Sequence, residues 1–446
     1  MDDTRCIVNR ETEEEQFPSA VTPVYKTHIC RWFVLATFSV LAFSNGLNWL
    51  TYSSIVKFSA DYYNVSIAEL NYLTIIFFVG SIVGSPFAMF VLDSLSLREA
   101  VWIGAILNFI GTVIRIVSAY LPSSVPYLGY GFAVLAQFII SLAQSYFLYA
   151  PPKVASVWFS DGERVVANTI ISLGNVVGIA VSMLLAPSIV TSTDRLPILL
   201  GITAVPALIG LVMAAFNFRK RPLYPPSHSS EDGMKPWPGL KRLLRNWQYW
   251  FLCVIWALAA GVFNVFLALM PQFVCPFGYT EWYSGIVGAA MIFAGLIGSL
   301  IIGFIVDRTK RFEEISKLCM CITTLSSILV MEVFRIPNQH VIIAVSFILF
   351  GFFALTLIPV FSELAIEITY PVAEGTCNGI LWTAVQFVAA GVTFIAPYFG
   401  HTPDLKYRNI IISGCYALLF WPKYKRIEAE KKSKADKLNA FDGSVN

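Results

Sequence analysis

The sequence predicts an all-α membrane protein: twelve transmembrane helices in two pseudo-symmetric six-helix bundles, with the last helix shortened. Three observations carry that prediction. Hydrophobic residues make up 57% of the 446-residue chain and charged residues only 13%, against about 25% charged in ordinary soluble domains. The apolar residues gather into twelve runs, six before and six after a polar gap, and each span needs about 20 of them. Features of the first half also recur in the second at a constant spacing. With a mean hydropathy of +0.67 and a net charge of only +3, the composition excludes a soluble enzyme, a nucleic-acid binder and a disordered scaffold.

Residues 1–31 are polar and carry the acidic run Glu13-Glu14-Glu15, which reads as a cytosolic tail with no cleavable signal peptide. Six apolar runs follow at 32–58, 70–92, 100–120, 127–149, 165–190 and 196–216, forming an N-terminal bundle over 32–216. The stretch Ala150-Pro151-Pro152-Lys153 is expected to end the fourth run sharply, because proline removes a helix hydrogen bond. Residues 217–247 hold Arg219-Lys220-Arg221, Lys241-Arg242, Arg245 and five prolines, the signature of a stiff cytosolic linker with no domain of its own. The C-terminal bundle, 248–421, has runs at 248–270, 285–306, 315–333, 341–361, 375–397 and 409–421, and a cytosolic tail over 422–446 closes the chain. The last run, 13 residues, makes only about 20 Å of helix against a hydrocarbon core of about 30 Å.

Charge sets the orientation. With the N-terminus inside, Lys57, Arg115, Arg195, Arg335, Lys406 and Arg408 fall on the outer side, and the other 25 of the 31 lysines and arginines fall inside. Both termini are therefore expected in the cytosol of a multi-pass protein of the plasma membrane. The sequon Asn64-Val65-Ser66 then lies in the first outer loop, a candidate glycosylation site.

Gly84-Ser85 is followed by Asp93, and Gly298-Ser299 by Asp307, so both pairs are 214 residues apart. The same offset carries run one onto run seven and Trp49 onto Phe263. Two halves repeated in the same orientation are how major facilitator transporters are built. At the cytosolic helix ends, Asp93 with Arg98, and Asp307 with Arg308, Lys310 and Arg311, read either as topology signals or as a gate locking the halves. Gly80, Gly84, Gly295 and Gly298 would allow the close helix approach that such a lock needs.

No Asp, Glu or Lys sits at the middle of any run, and Arg115 is expected to snorkel outward from the third. That pattern favours uncoupled transport. A cationic substrate would then be held by aromatic faces, worth about 2 kcal/mol or more when desolvated. The interior polar groups are Ser44-Asn45-Gly46-Leu47-Asn48-Trp49, Gln137 and Gln144, Asn168 and Asn175, Trp256, Phe263 and Asn264, and Trp382 and Gln386. Each amide is either helix–helix glue or a cavity wall. Gln137 and Gln144, like Asn168 and Asn175, stand two turns apart on one helix face. The eight cysteines have no metal-ligand spacing and read as small membrane-buried residues.

Several stretches carry a family resemblance. Arg31-Trp32, Ser44-Asn45, Trp49, Ala143-Gln144, Ala155-Ser156-Val157-Trp158-Phe159 and Gly174-Asn175 with Gly178 do so in the first half. Val306-Asp307-Arg308-Thr309-Lys310 and Glu363-Leu364-Ala365 with Glu367 and Pro371 to Gly375 do so in the second. Together they resemble the feline leukaemia virus subgroup C receptor-related transporters, solute carrier family 49 of the major facilitator superfamily. The Asp-Arg-Thr-Lys stretch and the Tyr424-Lys425-Arg426 ending look most like its member 3 branch. The resemblance implies the major facilitator fold and a carrier of choline- or ethanolamine-like compounds, with haem the older proposal. It implies substrate contacts from Trp49, Gln144 and Gln386, with Asn264 where choline carriers have a tyrosine and Phe263 beside it. Family members have a full twelfth span, so the short run 409–421 implies a truncated splice form or gene model.

The expected function is uncoupled, alternating-access transport of a small organic solute. A haem or porphyrin exporter and a non-transporting receptor-like protein are the alternatives. Substrate-binding candidates are Trp49, Gln144, Gln386, Asn264 and Phe263; the gate candidates are Gly84, Asp93, Arg98, Asp307, Arg308 and Arg311. No enzyme activity, cofactor, metal site or nucleic-acid partner is expected, and the lipid-embedded protein is read as a monomer. His28, His228, His340 and His401 all lie in loops or tails, which speaks against haem ligation.

Overall fold

The computed structural model describes residues 29–395 apart from 122–126, 161–162, 217–235, 310, 334–335, 337–338, 370–371 and 373. The run 409–421, both tails and most of the linker lie outside the described residues. Every regular element among the described residues is helical. The first half comprises α1 (Cys30–Leu50), α2 (Val56–Tyr63), α3 (Ile67–Ser94), α4 (Leu97–Tyr120), α5 (Leu128–Trp158), α6 (Arg164–Ile189) and α7 (Leu196–Phe216). The second comprises α8 (Pro236–Leu244), α9 (Trp247–Ala268), α10 (Met270–Val274), α11 (Glu281–Thr309), α12 (Phe312–Val333), α13 (His340–Thr369) and α14 (Glu374–Ile395). Ten segments are long and apolar enough to cross a membrane. The face where α1 begins is called proximal below, and the opposite face distal.

Three boundaries differ from the sequence expectation. The first run is a broken helix: α1 stops at Leu50, a 3-10 turn covers Ser53–Ile55, and Ile55 sits at φ −130°, ψ 50° before α2. Hydroxyls next to the break compete for its carbonyls, with Thr51 donating to Leu47 O at 2.8 Å and Ser54 to Leu50 O at 2.9 Å. The fourth run does not end at its prolines. Pro151 and Pro152 lie inside α5, which continues to Trp158; a prolyl break is tolerated where the freed backbone faces protein or a cavity. The end of the linker is helix α8, stopped by Asn246, whose Oδ1 accepts from the Gln248 and Tyr249 amides to start α9.

Within the first half α3 and α4 pack on α5, and α1 on α6 and α7; within the second, α11 and α12 pack on α13, and α9 on α14. The seam between halves is formed by α3 and α5 against α14, and by α6 against α11. Here the glycine expectation is corrected. A Cβ on Gly80 would come 1.9 Å from Ser141 Oγ, and one on Gly84 would come 3.1 Å from Leu142 O, both on α5. Gly295 and Gly298 meet Gly351 O and Phe352 O of α13 at 2.6 and 2.3 Å in the same sense. These residues let helices touch inside each half rather than across a lock between halves, and of them Gly84 and Gly298 are related by the 214-residue offset. Gly174, Gly178 and Gly46 do the same for α1 against α6.

Two apolar clusters lie in the first half. A third fills the second half and reaches across the seam to Trp49, Phe77 and Phe78. Cys253, Cys275, Cys319 and Cys321 are free thiols, whereas Cys30 is disulfide-bonded, which the sequence did not foretell. Burial, with Glu281 nearby, pushes the Cys275 thiol in the distal α10–α11 turn up to about 11.

Candidate functional site

The seam is bridged at both faces. Distally, the Asn71 and Gln272 amides donate to each other at 3.2 and 2.6 Å, and the Lys57 amide donates to Glu281 Oε1 at 3.0 Å. Proximally, Thr376 of α14 donates to Asp93 Oδ2 at 2.5 Å, and the same carboxylate covers Gly375, where a Cβ would come within 2.5 Å. Tyr149 adds a bond to Thr383 at 3.3 Å. Asp93 therefore does reach the other half, but through a threonine hydroxyl rather than Arg98. The second-half gate candidates stay on their own side. Arg308 lies over its own helix's Phe304 ring at 4.5 Å, and Arg311 pairs with Glu314 at 3.3 Å, three residues on. Local partners on one helix cost less ordering than partners across a seam. The Asp307 side chain lies outside the described residues.

At the seam lies a void of about 80 Å³ that opens to the outside. Asn168, Ser172 and Asn175 of α6 face Ser299 of α11, Ser362 of α13, and Asn378 and Trp382 of α14 across it. Its floor is Phe147, Leu148, Pro151 and Pro152, where α5 runs through its prolines. A much smaller hollow, about 20 Å³, sits beside it, walled by Trp256, Phe263 and Asn264 of α9 with Leu357, Ile358 and Trp382. Ile358 and Trp382 line both. Among the described residues, neither wall contains an ionisable residue, a histidine or a methionine.

The sequence-predicted binding residues divide into two groups. Phe263 and Asn264 line the smaller hollow. Trp49, Gln144 and Gln386 line neither hollow: each is at most 5% exposed. Trp49 is enclosed by Phe77, stacked at 6.1 Å, and by Phe78, edge-on at 5.9 Å. Buried polar atoms without a hydrogen-bond partner include Trp49 Nε1, Gln144 Oε1, Gln386 Oε1 and Trp256 Nε1, alongside others such as Asn45 Oδ1, Gln137 Oε1 and Arg115 Nε. Such atoms are costly unless a ligand or water completes them. The α6 pair Asn168 and Asn175 shares the void's wall, as two-turn spacing on one face requires.

Arg115 does not snorkel. It is 1% exposed, donates to Asn48 O and Asn48 Oδ1 at 3.0 Å each, and lies 4.2 Å from the Tyr52 ring centre. Asn45 and Ser44 are tied to Asn108 at 3.2 and 3.0 Å, so this part of the span-one polar cluster acts as helix–helix glue. Sequence reasoning also missed the proximal ion pair of Arg31 with Glu163, 2.6 Å and 132 residues apart. Spacing gives no signal for it; the Arg31-Trp32 motif was the one hint. Asn64 is exposed and closes α2 at φ 51°, while Ser66 of the same sequon is held in a capping box with Glu69. His340 is exposed and packs between Tyr279 and Tyr283, and no metal-binding cluster occurs among the described residues.

Residues 38–394 match the family model "Major Facilitator Superfamily". The chain is 33% identical to "Solute carrier family 49 member A3" of Xenopus tropicalis, over 81% of this chain and 76% of that protein. It is 27% identical to "Choline/ethanolamine transporter FLVCR2" of Homo sapiens, over 95% of this chain and 83% of that one. Among solved structures it resembles the inward open conformation of the xylose transporter XylE from E. coli. That match has a TM-score of 0.69 at 15% identity, covering 89% of this chain and 97% of that chain.

Proposed function

The chain belongs to the Major Facilitator Superfamily and, within it, to solute carrier family 49, and from that premise we propose that it carries a small hydroxylated ammonium compound of the choline and ethanolamine class. Membrane transport follows from the family and the fold. The substrate class rests on one observation above all: the seam void and its side hollow are walled by aromatic rings, amides and hydroxyls, with no ionisable group. An organic cation can be held there by ring faces, whereas an anion would find no countercharge. The relatives named as choline/ethanolamine transporters support the same reading.

No carboxylate occurs in either wall among the described residues, which supports transport down the solute's own electrochemical gradient. The Asp93–Thr376 contact serves as the cytosolic gate, with Arg98, Arg308 and Arg311 as flanking cations, and both termini lie in the cytosol of the plasma membrane. Gln144, Gln386 and Trp49, with their unpaired polar atoms, form the part of the site that completes its hydrogen bonds when the halves rock. A haem exporter is the weaker reading, since no histidine or methionine lines either hollow. The test is uptake of labelled choline and ethanolamine into liposomes holding the purified protein, with haem as the counter-substrate. Saturable ammonium uptake is expected without any proton or sodium gradient, and because each turnover moves one positive charge it should rise with an inside-negative potential. Haem flux without ammonium uptake would overturn the proposal.

A further inference from the structure

Resting on the ammonium-carrier reading above, we propose that Trp382 is the ring on which the cationic headgroup is held, in a subsite it shares with Trp256, Phe263 and Asn264. Trp49, the aromatic residue that family likeness implies, is 4% exposed, with Phe77 stacked on it and Phe78 against it edge-on. Trp256 is also covered: it is 1% exposed and stacked on Phe361 at 5.1 Å. Trp382 is different. It is half-buried, meets Trp256 at 84° with 5.9 Å between centres, and walls both the void and the side hollow. It also packs against the apolar clusters of both halves. An occupant moving between the two hollows must pass its ring.

The polar end of the ligand has partners in the same hollow. Asn264 offers an amide, and Trp256 Nε1–H is buried without an acceptor. A hydroxyl two carbons from an ammonium group would reach such groups once the hollow, about 20 Å³ in this state, widens as the halves rock. Asn264 stands where the likeness expects a tyrosine, and Trp382 supplies the aromatic wall from α14 instead.

The experiment uses full-length protein in liposomes, labelled choline, and 3,3-dimethyl-1-butanol, the uncharged carbon isostere of choline, as competitor. Loss of a desolvated cation–π contact corresponds to roughly a 30-fold loss of affinity. Trp382→Leu should therefore raise the half-saturation for choline by about that factor, while inhibition by the neutral isostere stays as in wild type. Trp382→Phe should lose discrimination only partly, and it serves alone if the leucine variant does not elute as folded protein. Unchanged preference for choline over the isostere in the folded variants overturns this proposal while leaving the carrier reading intact. Absence of choline and ethanolamine flux through wild type overturns the carrier reading and this assignment with it.

Discussion

The two halves are related by a repeat, yet their interiors are braced by different forces. In the first, buried amides and one cation tie α1 to its neighbours: Arg115 on Asn48, Asn45 with Asn108, and Asn108 with Ser44. In the second, the corresponding depth is filled by rings: Phe266 stacks on Phe347 at 5.5 Å and on Phe273 at 5.8 Å, and Trp256 on Phe361 at 5.1 Å. The difference bears on the substrate. A buried guanidinium on the first half repels an organic cation at that depth, whereas the second half offers aromatic faces and no positive charge. The proposed aromatic subsite thus draws its rings from the second half, while the first half adds the α6 amides and the α5 floor to the shared void.

The largest effect is expected where rings carry the core. Phe266→Ala should cost about 3–5 kcal/mol, read as a fall in thermal stability of the detergent-solubilised protein. Arg115→Met should cost less, about 1–3 kcal/mol, because it strands the carbonyl and amide oxygen of Asn48 while the methionine fills the space. If the arginine change proves costlier than the phenylalanine change, the contrast between halves fails. The same Arg115→Met variant sharpens it in transport: removing a like charge should leave choline half-saturation equal or lower, and a marked rise would break the assignment of the cation to the second half.

The repeat-related glycines allow a matched test. Gly298 has less room than Gly84, since an added Cβ meets Phe352 O at 2.3 Å against 3.1 Å to Leu142 O. Both alanine variants should fall within the roughly 1–3 kcal/mol typical of overpacking, with Gly298→Ala the worse. The reverse order, measured by the same melts, would mean that the halves do not yield alike where their helices cross.

How much of this was legible in the sequence follows from what each signal depends on. Span positions could be read because apolar runs are a one-dimensional property, and the 214-residue offset because a repeat preserves register. The break after Leu50 was hidden, since Thr51 and Ser54 act through bonds to their own backbone. The continuation of α5 through Pro151 and Pro152 depends on a void formed by distant helices. Asp93 stood out by charge and place at a helix end, but Thr376, 283 residues away, carries no charge to reveal it as the partner across the seam. Phe263 could be reached through the repeat and Asn264 through the family resemblance. Trp382 was noted only as one of several interior polar or aromatic groups, and its position between two hollows depends on how α9, α13 and α14 pack.

The smallest expected effect concerns the distal bridge. Asn71 and Gln272 exchange two hydrogen bonds across the seam, and such bonds inside membranes average about 0.6 kcal/mol, at most about 1.7. Asn71→Leu should therefore barely move the melting temperature. It should instead favour the conformation open at the distal face, because the bridge exists only when that face is closed. Cysteine accessibility measured on the distal side of the seam should rise in the variant and fall back in Asn71→Gln if the longer amide still reaches Gln272. If a distal reporter is labelled no faster in Asn71→Leu than in wild type, the bridge contributes nothing to closure, and the distal seam is held by its apolar contacts alone.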